Sequence, residues 1–389
     1  MKRVCYVVTS PLVVNGFLLN HLALLADHFH ISLYVNNLEH PVSAHIDPRV
    51  KLIHFDIMRK ASPIRDLKAL LYLFMEFRRE QFDLVHSMTP KAGLLAMLAG
   101  WLAGVPERFH IFTGQVWVTR KGFIRCALRL SDKLIAVCAT QIQADSISQK
   151  QFLEHQGVVR PGRVRVAGKG SICGVNPQRF SRNESARLDM RSQMGIPIDT
   201  VVFVFIGRIT HDKGVIDLAH AFQRVAKKIE TTYLVIAGPD EEGLTNEIKS
   251  LVSPFSDRLH IIGGVVDPVN YYSAGDVLVL PSYREGFGMV VLESAAMGLP
   301  AIGSRIYGLT DAVVDGETGV LFPVGDVQAL TNCMSNLAEN PTLRCQLGEA
   351  ARRRALKDFS STVISNAWLL MYKQIINGSC KKTCMNRRS

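Results

Sequence analysis

Glu285 and Glu293 lie eight residues apart in Pro281-Ser282-Tyr283-Arg284-Glu285-Gly286-Phe287-Gly288-Met289-Val290-Val291-Leu292-Glu293. The apolar run Val277–Leu280 reads as a strand stopped by Pro281, and the apolar residues after Gly288 read as a helix that contains Glu293. A helix start presents backbone N–H groups with no partner inside the helix, and these attract phosphate. Carboxylates on either side can accept hydrogen bonds from sugar and ribose hydroxyls. The pattern suits a sugar carried on a nucleoside diphosphate. An ordinary strand-to-helix turn with two surface glutamates fits the spacing equally well.

A second loop carries cations. Phe203-Val204-Phe205-Ile206-Gly207-Arg208-Ile209-Thr210-His211-Asp212-Lys213-Gly214 is a buried-strand pattern that delivers Arg208 and, five residues on, Lys213. Two cations on one loop can hold a diphosphate through charge-assisted hydrogen bonds and stabilise charge that builds on a leaving group. The alternative is a solvated basic loop, which the restart of a strand–helix series directly before it makes less suitable.

These loops need a scaffold, and the chain supplies an alternation of short apolar runs and longer helical patterns. Strands are expected at Val4–Thr9, Ile31–Val35, Leu52–Phe55, Leu84–His86, Phe109–Phe112 and Lys133–Val137, with helices near 18–28, 64–79 and 93–103. A glycine-rich joint, Ala167 to Pro177, interrupts the series. It resumes with strands at Val201–Ile206, Tyr233–Ala237, Leu259–Ile262, Val277–Leu280, Ala301–Gly303 and Gly319–Phe322. The expected fold is α/β: two Rossmann-like, doubly wound parallel sheets facing a central cleft, with ligands at the carboxyl ends of strands. The expected domains are 1–170 and 175–358, with a hinge near 168–178. The helix at about 362–378 is expected to return to the first domain, and 379–389 reads as an unstructured basic tail.

Composition bounds the partners. The chain has 389 residues, 48% of them hydrophobic, with a formal charge of +11. That is a globular chain suited to an anionic partner: nucleic acid, phospholipid or a phosphorylated substrate. No nucleic-acid recognition motif accompanies the charge. The eight cysteines lack paired metal spacing; Cys380 and Cys384, the closest pair, have no matching His/Cys cluster, so no metal site is expected. Met1-Lys2-Arg3 leads straight into a strand pattern without a secretory signal, which points to free thiols in a reducing cytoplasm. No segment reaches the roughly 20 apolar residues that span a bilayer; the nearest, Ala92 to Pro106, reads as a buried helix.

Taken together, Gly-Arg-x4-Lys-Gly, then Glu-Gly-Phe-Gly with a second glutamate eight residues after the first, resembles the retaining glycosyltransferases of family 4, which have the GT-B fold. Ala274-Gly275-Asp276-Val277, Glu293-Ser294-Ala295-Ala296-Met297-Gly298-Leu299-Pro300 and Asp315-Gly316-Glu317-Thr318-Gly319 continue the match in order, and the likeness covers essentially the whole chain. It implies that Gly207, Arg208 and Lys213 meet the donor diphosphate, that Glu285 contacts the transferred sugar and that Glu293 binds the ribose. It implies further that backbone amides at Gly286, Phe287 and Gly288 meet phosphate, and that the base lies near Gly264, Val265 and Val266. The donor would be a UDP-sugar, with no cofactor and no metal.

In the first half the likeness is weaker. Thr9-Ser10-Pro11 and Gly16 occupy the place of a flexible loop that the family brings to the donor phosphates, with the family's glycine pair reduced to Gly16. Leu84 to Gly93 resembles the acceptor-side loop of bacterial members, which would set His86 in the cleft; a structural histidine at a strand end is the alternative. Many relatives carry histidine where Gln115 stands in Phe112-Thr113-Gly114-Gln115-Val116-Trp117, and glutamine cannot take a proton. A general-base role is therefore not inherited, although in the front-face mechanism proposed for retaining enzymes the leaving phosphate takes the acceptor's proton. The Thr113–Trp117 run with Arg120-Lys121-Gly122 also resembles bacterial N-acetylhexosaminyltransferases acting on undecaprenyl-diphosphate-linked sugars. That implies a polyprenyl-diphosphate-linked saccharide acceptor and a peripheral place on the cytoplasmic face of the inner membrane.

Two stretches suit a lipid surface. Arg59, Lys60, Arg65 and Lys68 precede Leu70–Met75, with Arg78 and Arg79 after it; Arg120, Lys121, Arg125, Arg129 and Lys133 interleave with Trp117, Phe123, Ile124 and Leu128. Both can form basic amphipathic helices on anionic lipid, or pack on the first sheet with solvated basic faces. A nucleotide-sugar 2-epimerase of the same architecture and a non-catalytic nucleotide-sugar or lipid-binding protein are the competing functions. The paired Gly-Arg-x4-Lys and Glu-x7-Glu elements argue against the first, and only Gln115 favours the second.

Overall fold

Apolar runs bounded by turn residues, each followed by a helix, build two all-parallel sheets, as expected where strands are covered on both faces. The computed structural model describes residues 1–38, 40–58, 62–265 and 267–386, with side chains as far as Gly378. The chain forms two compact units, one from Met1–Cys173 with the segment that starts at Ser361, the other from Gly174–Ser360.

The first unit contains β1 (Lys2–Val8), β2 (Phe29–Val35), β3 (Lys51–His54), β4 (Leu84–Met88), β5 (Glu107–Phe112), β6 (Gln141–Ala144) and β7 (Val164–Arg165). Their order is β3-β2-β1-β4-β5-β6-β7, so the sheet changes direction of winding between β1 and β4. One expected strand is wrong. Lys133–Val137 lies inside a helix, Gly122–Cys138, in which Asp132, Ile135 and Ala136 face inward while Leu134 and Val137 face out. A five-residue apolar run has no period of its own, and the longer repeat around it decided the matter. The true strand is the polar Gln141–Ala144, which the pattern did not flag.

The segment after β1 also differs from the expected flexible loop. The Ser10 hydroxyl accepts from Leu12 N, Pro11–Val13 is already helical, and Gly16 sits inside a π turn, Val14–Leu18, that feeds the Leu19–Ala26 helix.

The C-terminal helix, Ser361–Asn386, packs against the first sheet and decides between the two readings of His86. His86 does not line a site: it is fully buried in β4, its Nδ1 meets the Tyr372 hydroxyl, and its ring lies 4.6 Å from Tyr6 and 4.5 Å from Phe109. Burial pushes its pKa well down, so it is a neutral core group. The expectation of an unstructured basic tail over 379–389 fails as far as Asn386, where the backbone continues the helix; 387–389, Arg59 and Lys60 lie outside the described residues, as do the side chains of Cys380 and Cys384.

Asp145 follows β6 and is buried, with no partner for its Oδ1 among the described residues. Burial pushes its carboxyl up to about 8, so the folded unit holds it protonated at neutral pH. An unfolded aspartate titrates near 3.9, so this contribution is intact below about pH 4 and is lost as pH rises to about 8. Stability against urea is expected to fall across that window, and Asp145→Asn is expected to reduce the slope. An Asn variant with the parental slope would contradict this assignment.

The second unit contains β8 (Val201–Ile206), β9 (Thr232–Ala237), β10 (Leu259–Ile262), β11 (Val277–Leu280), β12 (Ala301–Ser304) and β13 (Gly319–Phe322), in the order β10-β9-β8-β11-β12-β13. An ionic knot fastens the start of its two central strands, β8 and β11. Asp276 accepts from Arg187 and Arg191 at 2.7 Å each and from Val202 N at 2.7 Å, while Arg191 is only 1% exposed.

Candidate active site in the second unit

Beyond β8 the chain winds outward through β9 and β10, then returns to the other side of β8 as β11. The loops after β8 and β11 therefore diverge at the switch point of the sheet, where open α/β sheets bind ligands. These loops hold the cations and the first glutamate singled out above.

The structure brings Lys213 and Glu285 together, with Lys213 Nζ 2.5 Å from Glu285 Oε1, and the Ser282 hydroxyl donates to the same oxygen at 2.8 Å. Both side chains are largely shielded, at 18% and 11% exposure, so their attraction is less screened than a surface pair's. Backbone contacts hold the two loops in register. Tyr283 N donates to Asp212 O at 2.9 Å, and Arg284 reaches Asp212 at 3.3 Å. Gly214 has φ +69°, and a Cβ there would stand 2.1 Å from Pro281 O. Only glycine satisfies both the left-handed backbone and the close approach. Gly214→Ala is expected to cost about 1–3 kcal/mol of stability, since it forces the two loops apart. Urea denaturation reads this; an unchanged midpoint would contradict the close packing.

Arg208 occupies the same loop but does not join that cluster. It pairs with Glu241 of the loop after β9 at 2.7 Å, with both side chains about one-third exposed (35% and 36%). The loops after β8, β9 and β10 are linked: Gly207 N donates to Ala237 O at 3.0 Å, Ile209 N to Pro239 O at 2.9 Å, and Gly238 N to Ile262 O at 3.1 Å. This places Gly264, exposed, and Val265, half-buried, at the carboxyl end of β10; Val266 lies outside the described residues.

The Gly286–Gly288 turn starts the Met289–Ala296 helix. Gly288 takes φ +86° as its N-cap. Phe287 is buried and its ring centroid lies 5.3 Å from that of Phe359, so its side chain anchors the turn and only its backbone can serve a ligand. Gly308 packs beneath this turn, where a Cβ would stand 2.5 Å from Gly286 O. Glu293, in the helix, does not meet Glu285's partners; it accepts from the Tyr272 hydroxyl at 2.7 Å. Burial pushes its carboxyl up, opposed by the Tyr272 hydroxyl and by Arg179.

Ser282, Tyr272, Glu241 and Gly308 were not singled out in the sequence. Ser282 was legible, as the hydroxyl three residues before Glu285; Tyr272 comes from the separate Val269–Ala274 helix, and Glu241 and Gly308 from separate loops.

In the first unit Gln115 is buried. Its amide nitrogen donates to Thr113 O at 2.7 Å, and its oxygen accepts from Gln149 at 3.3 Å. It lines a small pocket with Thr89, His110 and Asp132. Thr89, which flanks that sheet's switch point, has φ +74°, a strained backbone for a β-branched residue, and its hydroxyl lies 3.2 Å from that of Thr9.

The family model for glycosyl transferases group 1 matches residues 187–354, and that for the glycosyl transferase 4-like domain matches 22–170. The capsular polysaccharide biosynthesis glycosyltransferase CapM of Staphylococcus aureus is 32% identical over 315 residues, which cover 81% of this chain and 82% of that one. The UDP-Gal:alpha-D-GlcNAc-diphosphoundecaprenol alpha-1,3-galactosyltransferase of Escherichia coli is 26% identical over 328 residues, covering 82% and 83%. Among solved structures, a sucrose-phosphate synthase from Thermosynechococcus elongatus superimposes with TM-score 0.81 at 22% identity, over 97% of this chain and 100% of that one. Anabaena Alr3699/HepE in complex with UDP and glucose gives 0.80 at 17% identity, over 96% and 100%. These two likenesses speak to fold.

Proposed function

The chain belongs to the glycosyl transferases group 1 family and is a glycosyltransferase of the GT-B fold, and from that premise we propose that it acts in bacterial surface-polysaccharide or glycan assembly. In this reading it moves a sugar, with N-acetylhexosamine as first choice, from a UDP-sugar to a polyprenyl-diphosphate-linked saccharide. Configuration is retained and no metal takes part. The enzyme works at the cytoplasmic face of the inner membrane. The relatives named for capsule assembly and for a diphosphoundecaprenol acceptor support the choice of acceptor class.

The observation that carries the reading is the Lys213–Glu285–Ser282 cluster at the switch point of the second sheet. Lys213 and Arg208 supply positive charge for the diphosphate as the bond from the sugar's anomeric carbon to its phosphate oxygen breaks. Glu285, held by Ser282, is placed to accept from a sugar hydroxyl, and Glu293 from the ribose. The acceptor oxygen forms the new bond on the face the phosphate leaves, and its proton passes to that phosphate. Gln115, a buried amide already bonded to Thr113, takes no proton in this scheme.

A screen of UDP- and GDP-sugars against membrane extract, with mass and anomer analysis of the product, tests it. The expected product is an α-linked sugar in the lipid fraction, formed at the same rate with a chelator present. Epimer formed from a UDP-sugar without acceptor would overturn the transferase reading in favour of a 2-epimerase.

A further inference from the structure

Two helices of the first unit carry two apolar stripes each. Gly122–Cys138 turns Ile135 and Ala136 inward, yet exposes Phe123 (86%), Leu130 (66%), Leu134 (41%) and Val137 (75%). Those four recur at i, i+7, i+11 and i+14 and so share one outward face. Pro63–Glu80 buries Ala69, Leu73 and Phe77 and exposes Ile64 (74%), Leu67 (57%), Leu71 (52%) and Met75 (59%), again on one face. The Pro90–Leu102 helix packs against both and ends in exposed Trp101 and Leu102. A water-facing helix ordinarily has one apolar stripe, and an apolar face of this extent marks an interaction surface.

The charges say what it meets. Arg65, Lys68, Arg78, Lys121, Arg125 and Lys133 are exposed around the stripes. The acidic groups of the same three helices are withdrawn: Asp66 pairs with Lys91 at 2.6 Å, Glu76 is buried against Tyr34 and Arg79, Glu80 pairs with Arg3, and Asp132 accepts from Trp117 at 2.7 Å. What remains is apolar surface edged by cations.

We infer that this three-helix face docks on an anionic lipid bilayer, with the apolar stripes at the headgroup–acyl boundary and the Lys and Arg side chains among the phosphates. Trp117, clasped by Asp132 and lying under Arg125 and Arg129 at 5.9 and 5.8 Å, fastens the docked helix to the loop that contains Gln115. The choice of a bilayer over a protein partner rests on the proposed lipid-linked acceptor as well as on the charge, and the test is read without any sugar transfer.

Flotation of the full chain with vesicles containing about a third phosphatidylglycerol in phosphatidylcholine is expected to recover on the order of tenfold more protein than phosphatidylcholine alone. The paired variants Phe123→Ser/Val137→Ser and Lys121→Glu/Lys133→Glu are each expected to lose flotation while keeping the parental melting temperature. Equal recovery on both vesicles, or variants that float like the parent, would overturn the inference. So would a lipid-free dimer that Phe123→Ser/Val137→Ser converts to monomer, since the face would then join two copies of this chain. A parent that floats yet transfers no sugar would refute the proposed function and leave the docking face standing.

Discussion

Lys213→Ala is expected to lower the rate of sugar transfer by about 10²–10³-fold, the effect of removing one preorganised group aimed at developing charge. Lys213 is shielded and held 2.5 Å from Glu285, so it is already positioned before a diphosphate arrives. Its loss also deprives Glu285 of the cation beside it and leaves the Ser282 hydroxyl, at 2.8 Å, to hold it, which loosens the group proposed to meet the sugar. Glu285→Ala is expected to be similarly severe. Because the two side chains act as one unit, the double variant is expected to lose little more than the worse single. Lys213→Arg keeps the charge and is expected to recover part of the rate. Single-turnover transfer with a saturating nucleotide-sugar reads this directly. A Lys213→Ala enzyme with more than about a tenth of the parental rate would remove Lys213 from the leaving-group role.

Asp276→Ala is expected to destabilise the second unit by about 3–5 kcal/mol, the cost of leaving a buried charge without its partner. Arg191 would keep its bonds to the carbonyls of Ala274, Ile198 and Thr200 but would lose the carboxylate opposite it, as would Arg187. Val202 N, at the start of the second unit's first strand, would lose its acceptor as well. Replacement of both Arg191 and Asp276 by apolar residues of similar size is expected to cost less than Asp276→Ala alone, since no unpaired charge remains. Urea titration of the two variants separates these outcomes. A single variant within about 1 kcal/mol of the parent would show that the pair is not held against water as the structure places it.

The parallel sheets were legible because their strands are continuous apolar runs between turn residues, and β8, β10, β11 and β13 fall on the residues expected. The strand β6 was not, because Gln141 and Gln143 interrupt the pattern that a buried strand ordinarily shows. Lys133–Val137 failed for the opposite reason: a short apolar run sits in a helix whose second apolar face points outward. At the site, Lys213, Glu285 and Gly214 could be found because each lies in a loop directly after a buried strand. Tyr272 and Gly308 approach from a separate helix and a separate loop, and His86 stayed undecided between cleft and core because Tyr372, which covers it, lies 286 residues away. Contacts over such separations leave no mark in local spacing.

The most direct test follows label from a UDP-sugar, incubated with the purified chain and a polyprenyl-diphosphate-linked acceptor in membranes. Label is expected in the lipid fraction, α-linked, with almost none for Glu285→Ala. Label left in the nucleotide-sugar pool as an epimer, or transfer undiminished in Glu285→Ala, would contradict it.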